Sequence, residues 1–302
     1  MLDICLLGCG GSLPVPYRAL TSLLLSCRGR KILIDCGEGT QVSMKLLGWG
    51  FKSIDVICFT HAHADHVLGL PGLLLTIANS GREETLTIIG PPGFINVLRG
   101  LMVVCPVLPY DIYYIECSMD GSVDFSIDDI YIKSMAGDHM APCAAYSIDI
   151  KRARKFDAEK AKKLNIPMKL WNKLQKGETA KADGISYSPD MVLGDERKGL
   201  RLSYFTDTRP LDSLVDFVAY SDLLIAEGMY GDNEEISKAI KNKHMLFSEA
   251  AEIAKKAQVS ELWLTHFSPS LTEPEKYKEN ASSIFENTVI GEDRLIKTLS
   301  FE

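Results

Sequence analysis

Between residues 59 and 75 the chain reads FTHAHADHVLGLPGLLL, which places His61, His63, Asp65 and His66 within six positions. Imidazole nitrogens and a carboxylate at this spacing suit Zn²⁺ and related divalent metals, and one such loop can supply ligands to two adjacent ions. Ala62 and Ala64 are small enough to let the alternate side chains converge. A lone histidine is usually an ordinary core or surface residue. Four ligand-type residues together are costly to desolvate, and binding a metal is the use that offsets that cost. The chain has six histidines, and the remaining three are His139, His244 and His266.

A loop of this kind needs a rigid element to launch it. IDVICF (54–59) is β-branched and apolar enough for a buried strand, and it runs directly into His61. Four more strand-like runs end in residues of the same chemistry. They are IYIKSMAGDH (130–139) at His139, LSYFTD (202–207) at Asp207, LLIAE (223–227) at Glu227 and LWLTH (262–266) at His266. In α/β architectures sites collect at the carboxyl ends of strands, so these five runs predict one shared site. Helix-like patterns after Pro71, after Pro210 and in SEAAEIAKKAQ (248–258) alternate with the strands, and no internal repeat interrupts them.

The 302 residues are 46% hydrophobic and 24% charged, an ordinary globular balance in a chain long enough to need no covalent staples. The cysteines show no C-x-x-C pair, and several sit inside apolar runs such as DICLL and DVICF. This predicts buried free thiols and a reducing compartment. The longest apolar stretch, Gly69 to Ala78, falls well short of the ~20 residues of a membrane span. With no basic segment leading into an apolar one at the N-terminus, the expectation is a soluble, cytoplasmic protein without membrane contact.

The histidine loop with its GLPGLLL continuation resembles the signature of the ribonuclease Z family, the metallo-β-lactamase-fold enzymes that cleave 3′ trailers from precursor tRNA. GCGGSLPVPYRALTSLLL (8–25), LIDCGEGTQ (33–41), YFTDTRP (204–210), KHMLFSEAA (243–251) and LTHFSPS (264–270) each resemble a family segment, in the expected order. The H-x-H-x-D-H core marks only the superfamily; the GLPGLL extension and the KH…SEAA segment narrow it. The resemblance implies an α/β fold, a four-layer αββα sandwich forming one domain over 1–302 with an inserted basic arm at 151–199. It also implies two Zn²⁺ per chain, or other divalent metals: one ion held by His61, His63 and His139, the second by Asp65, His66 and His266, with Asp207 bridging them. Asp35 would steady the histidine loop without binding metal. Asp65 would also accept a proton from the attacking water, and His244, paired with Glu227, would protonate the leaving 3′ oxygen. On spacing alone a plain surface residue is the better reading of His244, and its role as acid rests on the resemblance.

A formal net charge of −7 is awkward for a protein that binds RNA, since phosphate contacts dominate affinity. The charge is unevenly spread. From Lys151 to Lys176 ten Lys/Arg face two acids, a local +8 that leaves about −15 on the rest. Here the family inserts an arm that grips the tRNA elbow, and Lys169, Trp171, Lys173 and Lys176 are the expected contacts, the indole by stacking on a base. A solvated amphipathic helix is the plainer reading of the same stretch. The family pattern typically has a Gly-Pro pair where this chain has Met168-Lys169. The partners implied are precursor tRNA and a second copy of the chain, one subunit's arm serving the other's site. Competing readings are a small-molecule phosphodiesterase of the same fold and a metal-free RNA-binding relative. An iron-based oxygen reductase is disfavoured, because such enzymes typically carry a carboxylate where His63 stands.

Overall fold

The computed structural model describes residues 1–301. In chain order the strands are β1 (Leu2–Gly8), β2 (Ser22–Cys27), β3 (Arg30–Ile34), β4 (Ile54–Cys58), β5 (Leu86–Gly90), β6 (Ile112–Glu116), β7 (Asp120–Ile127), β8 (Ile130–Ala136), β9 (Ala144–Arg152), β10 (Ala180–Ala182), β11 (Ile185–Tyr187), β12 (Arg197–Phe205), β13 (Leu223–Glu227), β14 (Leu262–Thr265), β15 (Thr288–Ile290) and β16 (Leu295–Leu299). The helices are α1 (Thr40–Leu47), α2 (Ala64–Val67), α3 (Leu70–Asn79), α4 (Phe94–Met102), α5 (Ala158–Lys163), α6 (Met168–Gln175), α7 (Asp212–Phe217), α8 (Ile236–Asn242), α9 (Phe247–Lys256) and α10 (Glu279–Ser282).

The strands form two seven-stranded sheets, ordered β16-β1-β2-β3-β4-β5-β6 and β15-β14-β13-β12-β9-β8-β7. Strands β3 to β6 pair in parallel, as do β12 to β15. Covered on both faces, the parallel strands β5, β13 and β14 are buried along their whole length instead of alternating. Parallel pairing also puts the carboxyl ends of neighbouring strands on one edge, which is what the site requires.

Helices α1, α3 and α4 cover the first sheet. Met44, Leu73, Leu74, Ile77 and Phe94 pack on Leu33, Ile57 and Ile88, and the Phe94 ring stacks on Phe59 at 4.6 Å between centroids. Against β13 and β14 of the second sheet lies α9, which buries Phe247, Ala250, Ala251, Ile253 and Ala254 on one face. Hydrogen bonds tie sheet to sheet. Tyr146 Oη donates to the Phe59 carbonyl (2.7 Å), the hydroxyls of Thr21 and Tyr204 lie 3.0 Å apart, and Ala144 N–H donates to the Thr60 carbonyl (2.8 Å). This is the expected αββα layering. All the cysteines are free thiols and nearly all are buried; burial pushes Cys5 up to about 12, beyond reactive range at neutral pH.

Residues Ile150–Leu200, with Phe301, form a second compact unit. Ala161, Ile166, Leu170, Leu174, Tyr187 and Val192 make up its small core. Asp157 caps α5 by accepting the Lys160 N–H at 2.8 Å. The hairpin β10–β11 turns on Asp183 and Gly184, both left-handed (φ 51° and 81°), as a two-residue hairpin requires. Between α5 and α6 the turn is made by left-handed Asn165 (φ 51°) and Pro167, and Met168-Lys169 open α6. Lys169, Lys173 and Lys176 recur at i, i+4 and i+7 and are exposed, opposite the buried Leu170 and Leu174. Trp171 is half-buried against this core, packs on Phe156 at 5.3 Å, and donates its Nε1–H to the Ile166 carbonyl (3.0 Å).

Candidate metal centre and proton donor

The five strand-like runs become β4, β8, β12, β13 and β14, and the residues after or at their carboxyl ends converge. Three of the strands that reach the site are followed within two residues by a non-glycine residue in the left-handed region: β3 by Asp35 (φ 59°), β12 by Asp207 (φ 54°) and β14 by His266 (φ 58°). Such backbone is uncommon outside glycine and collects at functional sites, where it redirects a side chain.

Asp35 is fully buried and holds the histidine loop by several bonds. Its Oδ1 accepts the Thr60 N–H (2.8 Å), and its Oδ2 accepts from Thr60 Oγ1 and from His66 Nδ1, both at 2.9 Å. That fixes the His66 tautomer and turns Nε2 inward. His61 is oriented similarly, with Nδ1 3.1 Å from Thr60 Oγ1. His139 donates from Nδ1 to the Lys243 carbonyl (3.2 Å), so its Nε2 faces His63 Nδ1 at 3.3 Å.

Ring nitrogens approach one another without a proton scheme that satisfies them all. His66 Nε2 lies 3.2 Å from His266 Nε2. His61 Nε2 and Asp207 Oδ2 are buried without any hydrogen-bond partner. Buried polar atoms are rarely left so, and ions among these side chains would account for both. His61, His63, His139 and Asp207 offer ligand atoms within 4.8 Å of one another, as do Asp65, His66 and His266. This donor set of imidazoles and carboxylates fits divalent metal.

Asp207 faces both groups with different atoms. Its Oδ1 lies 3.9 Å from His61 Nε2 and 3.8 Å from His139 Nε2, whereas Oδ2 lies 3.3 Å from His66 Nε2 and 3.2 Å from His266 Nε2. Burial works to raise its pKa, but His266, His61 and His66 hold the carboxyl well below the usual range. Asp65 is similar: burial opposes ionisation, but hydrogen bonding to His266 and His66 outweighs it. Its Oδ2 accepts the Ser12 N–H at 2.6 Å. The first loop presses close here, since a Cβ on Gly11 would stand 2.7 Å from His266 Cε1.

His244 lies beside this group. Its Nδ1 is 3.0 Å from Glu227 Oε2 and 3.6 Å from Asp207 Oδ1, and Glu227 Oε1 accepts the Thr208 N–H at 2.6 Å. Burial alone would lower its pKa, but Glu227 and then Asp207 raise it to about 9. Metal cations nearby act in the opposite sense, as any positive charge does.

All the residues expected at the metal centre, together with Asp35, Glu227 and His244, therefore meet in one place. Lys169, Trp171, Lys173 and Lys176 belong to the 150–200 unit instead. Thr60, Ser12, Thr208 and Lys243 were not anticipated; three of them act through main-chain atoms, which leave no mark on residue type. Thr60 could have been found as the hydroxyl immediately before the histidine loop.

The profile of a family described as Anti-Pycsar protein Apyc1 matches residues 2–148. Ribonuclease Z of Clostridium acetobutylicum is 61% identical over 100% of this chain and 99% of its own length. Ribonuclease Z of Clostridium kluyveri is 60% identical over the whole of both. Among solved structures, the short form of human tRNase Z superposes with TM-score 0.70 at 22% identity, covering 99% of this chain and 100% of its own. The metallo-β-lactamase fold protein YhfI of Bacillus subtilis gives TM-score 0.70 at 19% identity over 98% of each. These structures share the fold, and the full-length identity to the curated relatives decides the rest: the chain belongs to the ribonuclease Z family.

Proposed function

We propose that this protein is a zinc-dependent endoribonuclease that removes the 3′ trailer of precursor tRNA, holding two zinc ions per chain. The observation that carries this reading is Asp207, whose two oxygens face two separate donor sets while His244 stands beside the first of them. His61, His63 and His139 would hold one ion, Asp65, His66 and His266 the other, and Asp207 both. Divalent cations in such a site polarise a phosphoryl oxygen and acidify a water molecule.

The chain's own residues supply the remainder. Asp65, kept ionised by its imidazole neighbours, accepts a proton from the attacking water. Cleavage breaks the bond between phosphorus and the 3′ oxygen, and that oxygen leaves as a poor, strongly basic alkoxide unless it is protonated. His244 delivers the proton. Glu227 fixes its Nδ1, which directs Nε2 to the leaving group.

The lysine stripe of α6 is the RNA-binding part of the 150–200 unit in this reading, and Lys169, Lys173 and Lys176 meet phosphates. Replacing all three by alanine should weaken precursor-tRNA binding and flatten its salt dependence by roughly 0.7–0.9 in log–log slope for each phosphate left without its lysine. An unchanged slope in a filter-binding titration would make the stripe a merely solvated face. Met168-Lys169 at the start of α6, where the family pattern has Gly-Pro, favours a second reading, hydrolysis of a small phosphodiester.

The protein acts as a homodimer in the cytoplasm on this account. Among the described residues no helix is long and apolar enough to cross a membrane. Exposed apolar side chains surround the start of α3: Val42 and Leu46 on α1, Leu68, and Val103, Val104 and Val107 after α4, the last 99% exposed. Gln41 Oε1 accepts from Thr76 of α3 (3.2 Å) and Cys105 Sγ lies 4.0 Å from the Pro71 carbonyl, which bring these segments together. A patch of this kind marks an interface. Val104→Asp with Val107→Asp should give a monomer by sedimentation velocity; a dimer of unchanged stability would place the interface elsewhere.

Parallel assays on a precursor tRNA and a chromogenic phosphodiester test the main reading. The zinc-loaded protein should cut the precursor at its 3′ boundary far more efficiently than it hydrolyses the small ester. Efficient ester hydrolysis without precursor cleavage would favour the second reading, and inactivity on both would leave an RNA-binding relative.

A further inference from the structure

We infer that Arg209 is a positioning residue for the proton donor, acting on the main chain of His244; the inference rests on reading His244 as the acid. Residues 243–245 lie between α8 and α9 without regular structure; the His244 N–H donates to the Ala239 carbonyl of α8 (2.9 Å), which fixes one side of its main chain only. Side-chain bonds hold the other side and the ring. Arg209, two residues beyond Asp207, donates from Nη1 to the His244 carbonyl and to Glu249 Oε2 (2.8 Å), while its Nη2 pairs with Glu249 Oε1. Glu249 is itself fixed, because Oε2 accepts the Leu246 N–H at 2.9 Å at the start of α9.

The preceding residue is clamped too. Lys243 is left-handed (φ 60°), its Nζ binds both oxygens of Asp138 (2.7 and 2.9 Å), and its carbonyl accepts from His139. His244 is thus held at four points: Glu227 on the ring, Arg209 on its carbonyl, the Ala239 carbonyl on its N–H, and Lys243 behind it. The Arg209–Glu249 pair is mostly covered (16% and 20% exposed), and the carboxylate balances the guanidinium charge. Its contribution to the reaction is geometric rather than a field on the phosphate. A forked guanidinium meets a carboxylate with two donors and a carbonyl besides, which an ammonium cannot reproduce. A misplacement of about 1 Å at a reacting group costs on the order of 10²-fold in rate.

The test uses the zinc-loaded full-length protein and its Arg209→Ala, Arg209→Lys, Glu249→Gln and His244→Ala variants. Each is measured on precursor tRNA, with its alkoxide leaving group, and on bis(4-nitrophenyl) phosphate, which leaves without protonation. Arg209→Ala should lose roughly 10–100-fold in kcat on precursor tRNA with KM and zinc content unchanged, and lose much less on the nitrophenyl ester. Added guanidinium should restore part of that loss. Arg209→Lys and Glu249→Gln should show milder forms of the same pattern, and they carry the test should Arg209→Ala not fold. Equal losses on both substrates for the Arg209 variants, with His244→Ala still discriminating between them, would overturn the inference alone. If His244→Ala itself fails to discriminate, the acid assignment falls and this inference with it.

Discussion

Asp207→Ala should empty the centre: zinc analysis of the dialysed protein is expected to fall from about two ions per chain towards none, and phosphodiester hydrolysis to disappear on every substrate. The reason is the division of its oxygens, with Oδ1 turned to His61 and His139 and Oδ2 to His66 and His266. Its removal leaves two sets of imidazoles, three of them (His61, His66 and His266) fully buried, without their shared negative charge. Asp35→Ala gives the comparison. Asp35 touches His66 and Thr60 but stands outside the donor groups, so its loss should cost roughly 10–100-fold in metal affinity or activity, as loss of a ligand-orienting partner does. An Asp207→Ala protein that keeps both ions would show that the carboxylate does not bridge.

The second large effect belongs to His244. His244→Ala should leave zinc content nearly intact: His244 lies within 4.8 Å of ligand atoms of Asp207 and His266, but its Nδ1 is taken by Glu227, and the donors of the His61/His63/His139 and Asp65/His66/His266 sets are untouched. Its kcat on precursor tRNA should fall by ~10²–10⁴-fold, the usual value of a positioned acid. An ester with a nitrophenolate leaving group needs little protonation and should be affected far less. Glu227→Gln should follow in the same direction with a smaller loss, since an amide oxygen still accepts from Nδ1 but carries no charge to hold the proton. Equal losses of His244→Ala on both substrates would make His244 a structural residue.

How far the site could be read beforehand depended on whether its chemistry is local. His61, His63, Asp65 and His66 share one loop, so residue type and spacing were enough. Asp207 and His266 were legible because each directly follows a buried strand, and α/β sheets bring such positions to one edge. Glu227 and His244 were harder. A helix separates them, their 3.0 Å contact is made only in the fold, and only resemblance to a family connected them. The main-chain partners were not legible at all: the Ser12 and Thr208 N–H groups and the Lys243 carbonyl depend on backbone direction rather than residue type. Trp171 shows the opposite limit: an indole in a basic segment suits base stacking and a small core equally well, and its packing on Phe156 is visible only in the fold.

The most direct measurement is the chemistry of the ends left on a precursor tRNA by the purified, zinc-loaded protein. Water attack at phosphorus with a proton from His244 to the departing 3′ oxygen must leave a 3′-hydroxyl on the tRNA and a 5′-phosphate on the trailer. The account predicts those two ends, at one position, abolished by a chelator and restored by zinc. A 3′-phosphate or cyclic phosphate on the tRNA, or cuts scattered along the chain, would contradict it.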